Sequence, residues 1–144
     1  MKQKKIYYVA HPWDSRFSVE NYIRVWKKFH PNFTFINPFY DVLKKNEVLN
    51  ETRKVQYESG NPFVIVPQDL RLIDSCNELI AFVTGDLSYG TIMEIAYAHM
   101  RGKKVNIICT NGHEKHPWLV YHSMYENCSN MFTSVIDFEK EMDN

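Results

Sequence analysis

The apolar positions of this chain change period several times, and each change marks an element. Lys5 to Ala10 (KIYYVA) is a β-branched and aromatic run that predicts a first strand. From Phe17 to His30 the residues Val19, Tyr22, Ile23, Trp26 and Phe29 recur at three and four, with Arg24, Lys27 and Lys28 between them. That predicts an amphipathic helix stopped by Pro31. Phe33 to Asn37 predicts a second strand, so 5–37 reads as one βαβ unit with parallel strands. Glu78 to Thr84 is a short apolar run bounded by turn residues, as a strand buried on both faces would be. The period then lengthens again. From Thr91, apolar residues fall at Ile92, Ile95, Ala96 and Met100, and Gly102 is placed to end a helix in the left-handed conformation.

The remaining segments follow the same logic. Asp41 to Gly60 is polar and mixed in charge, which predicts a broken helix or a mobile loop over the ligand edge; Asn61-Pro62 reads as a turn. Pro67 suits the first turn of a helix running through Asp74 into the Glu78 strand. Lys103 to Cys109 predicts a fourth strand and Pro117 to Tyr125 a short aromatic helix. Met131 to Ile136 predicts a fifth strand, and Asp137 to Asn144 a charged, fraying tail. Together these elements predict a single α/β domain over 1–144, three-layered and Rossmann- or flavodoxin-like, with about five mostly parallel strands and helices on both faces.

Charge and cysteine usage narrow the function classes. Lys+Arg and Asp+Glu are both 17, so no net positive field favours nucleic acid or an anionic membrane surface. A small ligand or a protein is the expected partner. Three cysteines at no repeating spacing argue against a disulfide framework and for a reducing compartment. The start lacks an apolar stretch long enough for a signal segment, and no run approaches the roughly 18 apolar residues a membrane span needs. The expected location is the cytoplasm.

Candidate chemistry concentrates at the carboxyl edge of the predicted sheet, where open α/β folds bind ligands. Neither a dinucleotide fingerprint nor a G-x-x-x-x-G-K-[ST] loop is present, and the turn after the first strand has no glycine. Ser15 could cap the first helix or offer its hydroxyl to an anion. Cys109, His113, His116 and Cys128 match no common zinc spacing, and Ser88 lacks a G-x-S-x-G elbow. Carboxylates remain. Glu94 falls in the predicted first turn of its helix, where Thr91-x-x-Glu94 reads as a capping box. A carboxylate at a positive helix end is also held ionised, which suits a nucleophile. Asp69 reads as an acid in the first turns of its own helix, and spacing leaves open whether the two acids share an edge.

Three stretches resemble the nucleoside 2-deoxyribosyltransferases and the related nucleoside 5′-monophosphate N-glycosidases. They are Ile6-Tyr7-Tyr8-Val9-Ala10, Gln68-Asp69-Leu70, and Ser88-Tyr89-Gly90-Thr91-Ile92-Met93-Glu94 continuing to Arg101-Gly102-Lys103. The resemblance covers most of the chain. It implies cleavage of an N-glycosidic bond by hydrolysis or base transfer, with Glu94 as the nucleophile forming a glycosyl-enzyme ester. Asp69 would contact or protonate the departing base, and Tyr7 would orient the nucleophile. Ser88, Gly90, His11, Trp13 and Ser15 would face the sugar or its 5′ substituent, and a serine at position 88 is similar to the monophosphate branch. No cofactor and no metal are implied. The resemblance also implies a homodimer or higher homo-oligomer, with Trp118, Tyr121, Ser123 and Met124 serving a partner's pocket. The chain departs from the pattern in its glycine-free His11-Pro12-Trp13 loop and in Ala96, where glycine is usual. Two other classes stay open: a protein that binds a nucleotide-like signal without cleaving it, and a TIR-like or flavodoxin-like interaction domain.

Overall fold

Parallel pairing organises the molecule. In the computed structural model, which describes residues 4–43, 49–51, 62–86 and 88–144, strand β1 (Lys5–Ala10) leads through a 3₁₀ turn (Trp13–Ser15) into α1 (Arg16–Phe29) and then β2 (Phe33–Ile36). A short antiparallel pair follows, β3 (Asp41–Leu43) with β4 (Leu49–Glu51). After α2 (Pro62–Asp74) come β5 (Glu78–Val83), α3 (Tyr89–Met100) and β6 (Lys104–Cys109). The chain ends with α4 (Pro117–Ser123), the antiparallel pair β7 (Met124–Tyr125) and β8 (Cys128–Ser129), then β9 (Met131–Phe132) and α5 (Val135–Asp143). The main sheet has the order β2-β1-β5-β6-β9, parallel throughout. The chain therefore leaves β1 in one direction to β2 and returns to the other side for β5. That reversal creates a switch point at the carboxyl ends of β1 and β5.

All six residues of β5 are buried, because helices cover both faces of the sheet. Strand alternation divides the core in two. Tyr8, Ala10, Leu79, Ala81, Val83, Val105 and Ile107 pack with Leu72 and Ile73 of α2, Ile95 and Ala98 of α3, and Leu119 of α4. Tyr7, Val9, Phe35, Ile80, Phe82 and Ile108 face the other way, onto Val19, Ile23 and Trp26 of α1 and Phe138 and Met142 of α5.

Four sequence expectations need correction. Residues 137–144 form most of a helix rather than a fraying tail. The Ser134 side chain accepts from Asp137 N at its start, Phe138 and Met142 enter the core one turn apart, and Glu139 Oε2 accepts from Trp26 Nε1 at 3.0 Å. The fifth strand is accordingly confined to Met131–Phe132. Helix α2 begins at Pro62, so Pro67 lies inside it. The buried positions Ile65, Asp69, Leu72 and Ile73 keep helical spacing across that proline, whose ring is on the exposed side. Within Asp41–Gly60 the described parts are strands, not helix; the rest of that expectation lies outside the described residues.

Candidate functional site

Three elements meet at the switch point. From β1, the Tyr8 hydroxyl donates a hydrogen bond to Glu94 Oε2 on α3. From α2, Asp69 turns inward at 8% exposure, and its Oδ1 is buried without a hydrogen-bond partner. The two acids are close enough to feel each other. Burial pushes the Asp69 carboxyl up to about 8, and the Glu94 charge adds to the rise. Burial lifts Glu94 to about 7 against the Tyr8 hydrogen bond, which favours its ionised form. Burial thus raises the proton affinity of both carboxyls, while the Tyr8 hydrogen bond favours the ionised form of Glu94 and nothing comparable favours that of Asp69 among the described residues.

The helix positions of both acids differ from the sequence reading. Ser88 is the N-cap of α3 in extended backbone (φ −104°, ψ 119°), and its side chain accepts from Thr91 N at 3.4 Å. Thr91 is therefore not the cap; its Oγ1 donates back to Ser88 Oγ at 3.2 Å. Glu94 falls in the second turn rather than the first, and its carboxylate meets a tyrosine rather than free backbone N–H groups. Asp69 is the eighth residue of α2, beyond its first two turns.

The tyrosine is corrected as well. Tyr7 belongs to the opposite face, stacked on Phe35 with ring centroids 5.3 Å apart and edge-on to Phe33 at 5.7 Å. Tyr8 is the residue that reaches Glu94. A strand turns successive side chains to opposite faces, so a one-residue error exchanges core for site. The signal that would have separated them is register: β1 pairs with β2 so that Tyr7 lies beside Phe35, extending an aromatic row toward Trp26.

The other expected residues are distributed unevenly. Gly90 is the second residue of α3 and exposed. His11 is buried at 3% exposure. Its Nδ1 lies 2.9 Å from the Val9 carbonyl, which requires an N–H there, and its Nε2 is buried without a partner. Burial lowers it to about 4, so its ring is neutral at neutral pH. Trp13 and His11 both meet Phe39 edge-on, and the Arg16 guanidinium lies 3.9 Å from the Trp13 ring centroid. Ser15 sits at the N-cap of α1 but makes no cap bond; its hydroxyl donates to the Pro12 carbonyl. Trp118, Tyr121 and Met124 are exposed on and just after α4. Ser123 is not: it is fully buried and its hydroxyl donates to the Val120 carbonyl, so it has no surface to offer. Among the described residues no three His, Cys, Asp or Glu side chains converge as a metal site, and the Cys109 thiol donates to Asn111 Oδ1 at 3.2 Å. Among the described residues no helix is long and apolar enough to cross a membrane.

Two solved structures share this architecture over nearly its whole length. The chain is similar to the Clostridium botulinum CMP N-glycosidase BcmB at a TM-score of 0.62 and 17% identity, over 97% of this chain and 100% of that one. It is also similar to a 2-deoxyribosyltransferase from Leishmania mexicana at 0.60 and 17%, over 97% and 98%. The chain has the deoxyribosyltransferase fold. No family model and no curated protein matches its sequence. Within that fold, Tyr8, Asp69 and Glu94 come from one strand, β1, and two helices, α2 and α3, beside the switch point, the place where α/β folds of this kind hold ligands.

Tyr8 and Tyr7 can be separated experimentally. Tyr8→Phe removes the hydrogen bond on Glu94 and is expected to lower the kcat/KM of whatever reaction this acid pair catalyses by about 10- to 100-fold. Tyr7→Phe is expected to leave it within about threefold. Steady-state kinetics on both variants checks the assignment; equal losses would overturn it.

Proposed function

We propose that this protein cleaves the N-glycosidic bond of nucleosides or their 5′-monophosphates. One observation carries the reading: a buried acid pair, Asp69 and Glu94, whose proton affinities burial raises toward neutral pH and in which a tyrosine hydroxyl on Glu94 favours that partner's ionised form. The likeness in fold to a CMP N-glycosidase and a 2-deoxyribosyltransferase supports the same chemistry.

The geometry of the acid pair supports the following course for the reaction. Tyr8 occupies Oε2 of Glu94, leaving Oε1 to attack the anomeric carbon of the sugar. The C1′–N bond breaks, its electron pair passes to the base nitrogen, and the Asp69 proton neutralises the departing base. The glycosyl ester on Glu94 is then opened by water or by a second base, with the Asp69 carboxylate accepting the incoming nucleophile's proton. Two displacements at one carbon retain its configuration. Ser88, Gly90 and the His11 to Ser15 loop are the proposed contacts to the sugar and its 5′ end, and the reading uses no cofactor or metal. Trp118, Tyr121 and Met124 are the residues a second copy of the chain would receive.

Incubation with a panel of nucleosides and 5′-monophosphates, followed by chromatography, tests the reading. Release of free base is expected. Tight binding with every ligand recovered intact would favour the non-cleaving binding protein instead.

The acid pair also fixes a stability profile. Both folded carboxyls lie above their ordinary values of 3.8 and 4.5. Their contribution is therefore fully present below about pH 4 and lost as pH rises through about 7 to 8. In that window each proton given up only on unfolding costs about 1.4 kcal/mol per pH unit. Asp69→Asn removes its share, so the stability of the variant relative to the parent should increase with pH between about 5 and 8. Urea titrations at both ends check this; a difference independent of pH would contradict the buried pair.

A further inference from the structure

Outside the site, the most specific polar contact among the described residues joins α3 to α4. His99 Nδ1 and His122 Nδ1 lie 2.9 Å apart with ring planes at 83°. His122 is 6% exposed and its Nε2 is buried without a partner, while His99 is partly exposed. Tyr121 stands edge-on to His99 at 5.2 Å, and Trp118 lies 6.0 Å from His122.

Two Nδ1 atoms at this separation hold one proton between them: one nitrogen donates and the other accepts. A first added proton can be taken at the Nε2 of the more exposed His99, leaving the N–H···N bond intact. A second must go to His122 Nδ1, which sets N–H against N–H in a low-dielectric contact. We infer that the His99–His122 pair is an acid-sensitive latch holding α4 on α3, closed while the two Nδ1 atoms share one proton and opened by the second. Burial and the neighbouring His99 both lower the proton affinity of His122, in the same sense.

Of the titratable and charged neighbours on the packed elements, Tyr121 touches both rings edge-on, at 5.2 Å from His99 and 5.1 Å from His122. On α3, Glu94 is bonded to Tyr8, and Arg101 just beyond its end is paired with Asp74 of α2. On β6, Lys104 reaches Glu78 and Glu141, and Cys109 bonds Asn111. From α4 come Tyr121 and the N-cap His116, and from β7 Tyr125. Among the described residues no carboxylate pairs with either ring, so none is present to hold an imidazolium there. The latch is independent of the catalytic reading.

Hydrogen exchange on the full chain tests it. Between about pH 7.5 and about pH 4.5, where His11, lowered to about 4, is still mostly neutral, protection factors at residues 119–123 should fall about tenfold while those of α1 hold. His122→Asn should abolish that fall, and His99→Ala should show the loosened α4 already at neutral pH. Unchanged α4 protection in acid, or the same fall in His122→Asn, would overturn the latch. Ring ¹⁵N shifts of the parent protein give a variant-free test. One shared Nδ1 proton at neutral pH is expected, and two rings titrating independently would exclude it.

Discussion

Glu94→Gln is expected to abolish turnover by roughly three orders of magnitude or more while leaving the fold intact. The amide keeps an oxygen to accept from Tyr8 and fills nearly the same volume, so the α3 contact with β1 survives. What it loses is the charge that forms the ester. The substitution also removes a carboxyl that is costly to ionise in place, so the variant should be at least as stable as the parent above about pH 7. That combination separates a nucleophile from a structural acid: a residue kept for its hydrogen bond alone would keep that bond as Gln and leave kcat nearly unchanged. Circular dichroism with steady-state base release checks both halves. Activity within about tenfold of the parent would remove Glu94 from the mechanism.

The parts of this fold that were legible in the sequence are those whose burial leaves a period. β1 and its six residues, α1 with Val19, Ile23 and Trp26 facing inward, and the fully buried β5 each declare themselves by spacing or by an unbroken apolar run. The element that escaped, α5, has only two buried residues among its charges and depends on its Ser134 cap for a start signal. The start of α2 was obscured because proline usually opens a helix; here Pro62 does so and Pro67 is carried inside. The same ambiguity displaced the cap of α3. Ser88 and Thr91 are both capping residues three apart, and the one in extended backbone takes the role, moving Glu94 a turn further in.

The acids and the phenol of the candidate site differ in how the sequence points to them. Asp69 and Glu94 are singled out by Gln68-Asp69-Leu70 and Thr91-x-x-Glu94, whereas the phenol expected beside Glu94 is Tyr7 and the structure puts Tyr8 there. Tyr7 and Tyr8 are adjacent and chemically identical, so composition and motif cannot rank them. Only the neighbours can. The aromatic row of Phe33, Phe35 and Trp26 takes one tyrosine, and the face shared with α3 takes the other. That information is tertiary, fixed by register between strands far apart in the chain.

Asp69→Asn should lower kcat by about 100- to 10,000-fold with natural substrates, the range for losing a positioned proton donor. The size of the loss should depend on the leaving group, which distinguishes a proton donor from a residue that merely binds the base. A nucleoside whose base already carries a positive charge, such as an N7-methylated purine, leaves without protonation, so in single-turnover measurements of the base-releasing step parent and variant should agree within about tenfold on it, while resolution of the ester, which uses Asp69 as a base, stays slow in the variant. The pH profile gives an independent sign. In the parent, turnover needs Glu94 ionised and Asp69 protonated, so the rate should rise through about pH 7 and fall above about pH 8. In Asp69→Asn the alkaline fall should vanish, because the amide has no proton to lose, while the acid limb set by Glu94 persists. A variant equally impaired on charged and neutral bases, with its alkaline limb intact, would place the proton donor elsewhere in the pocket.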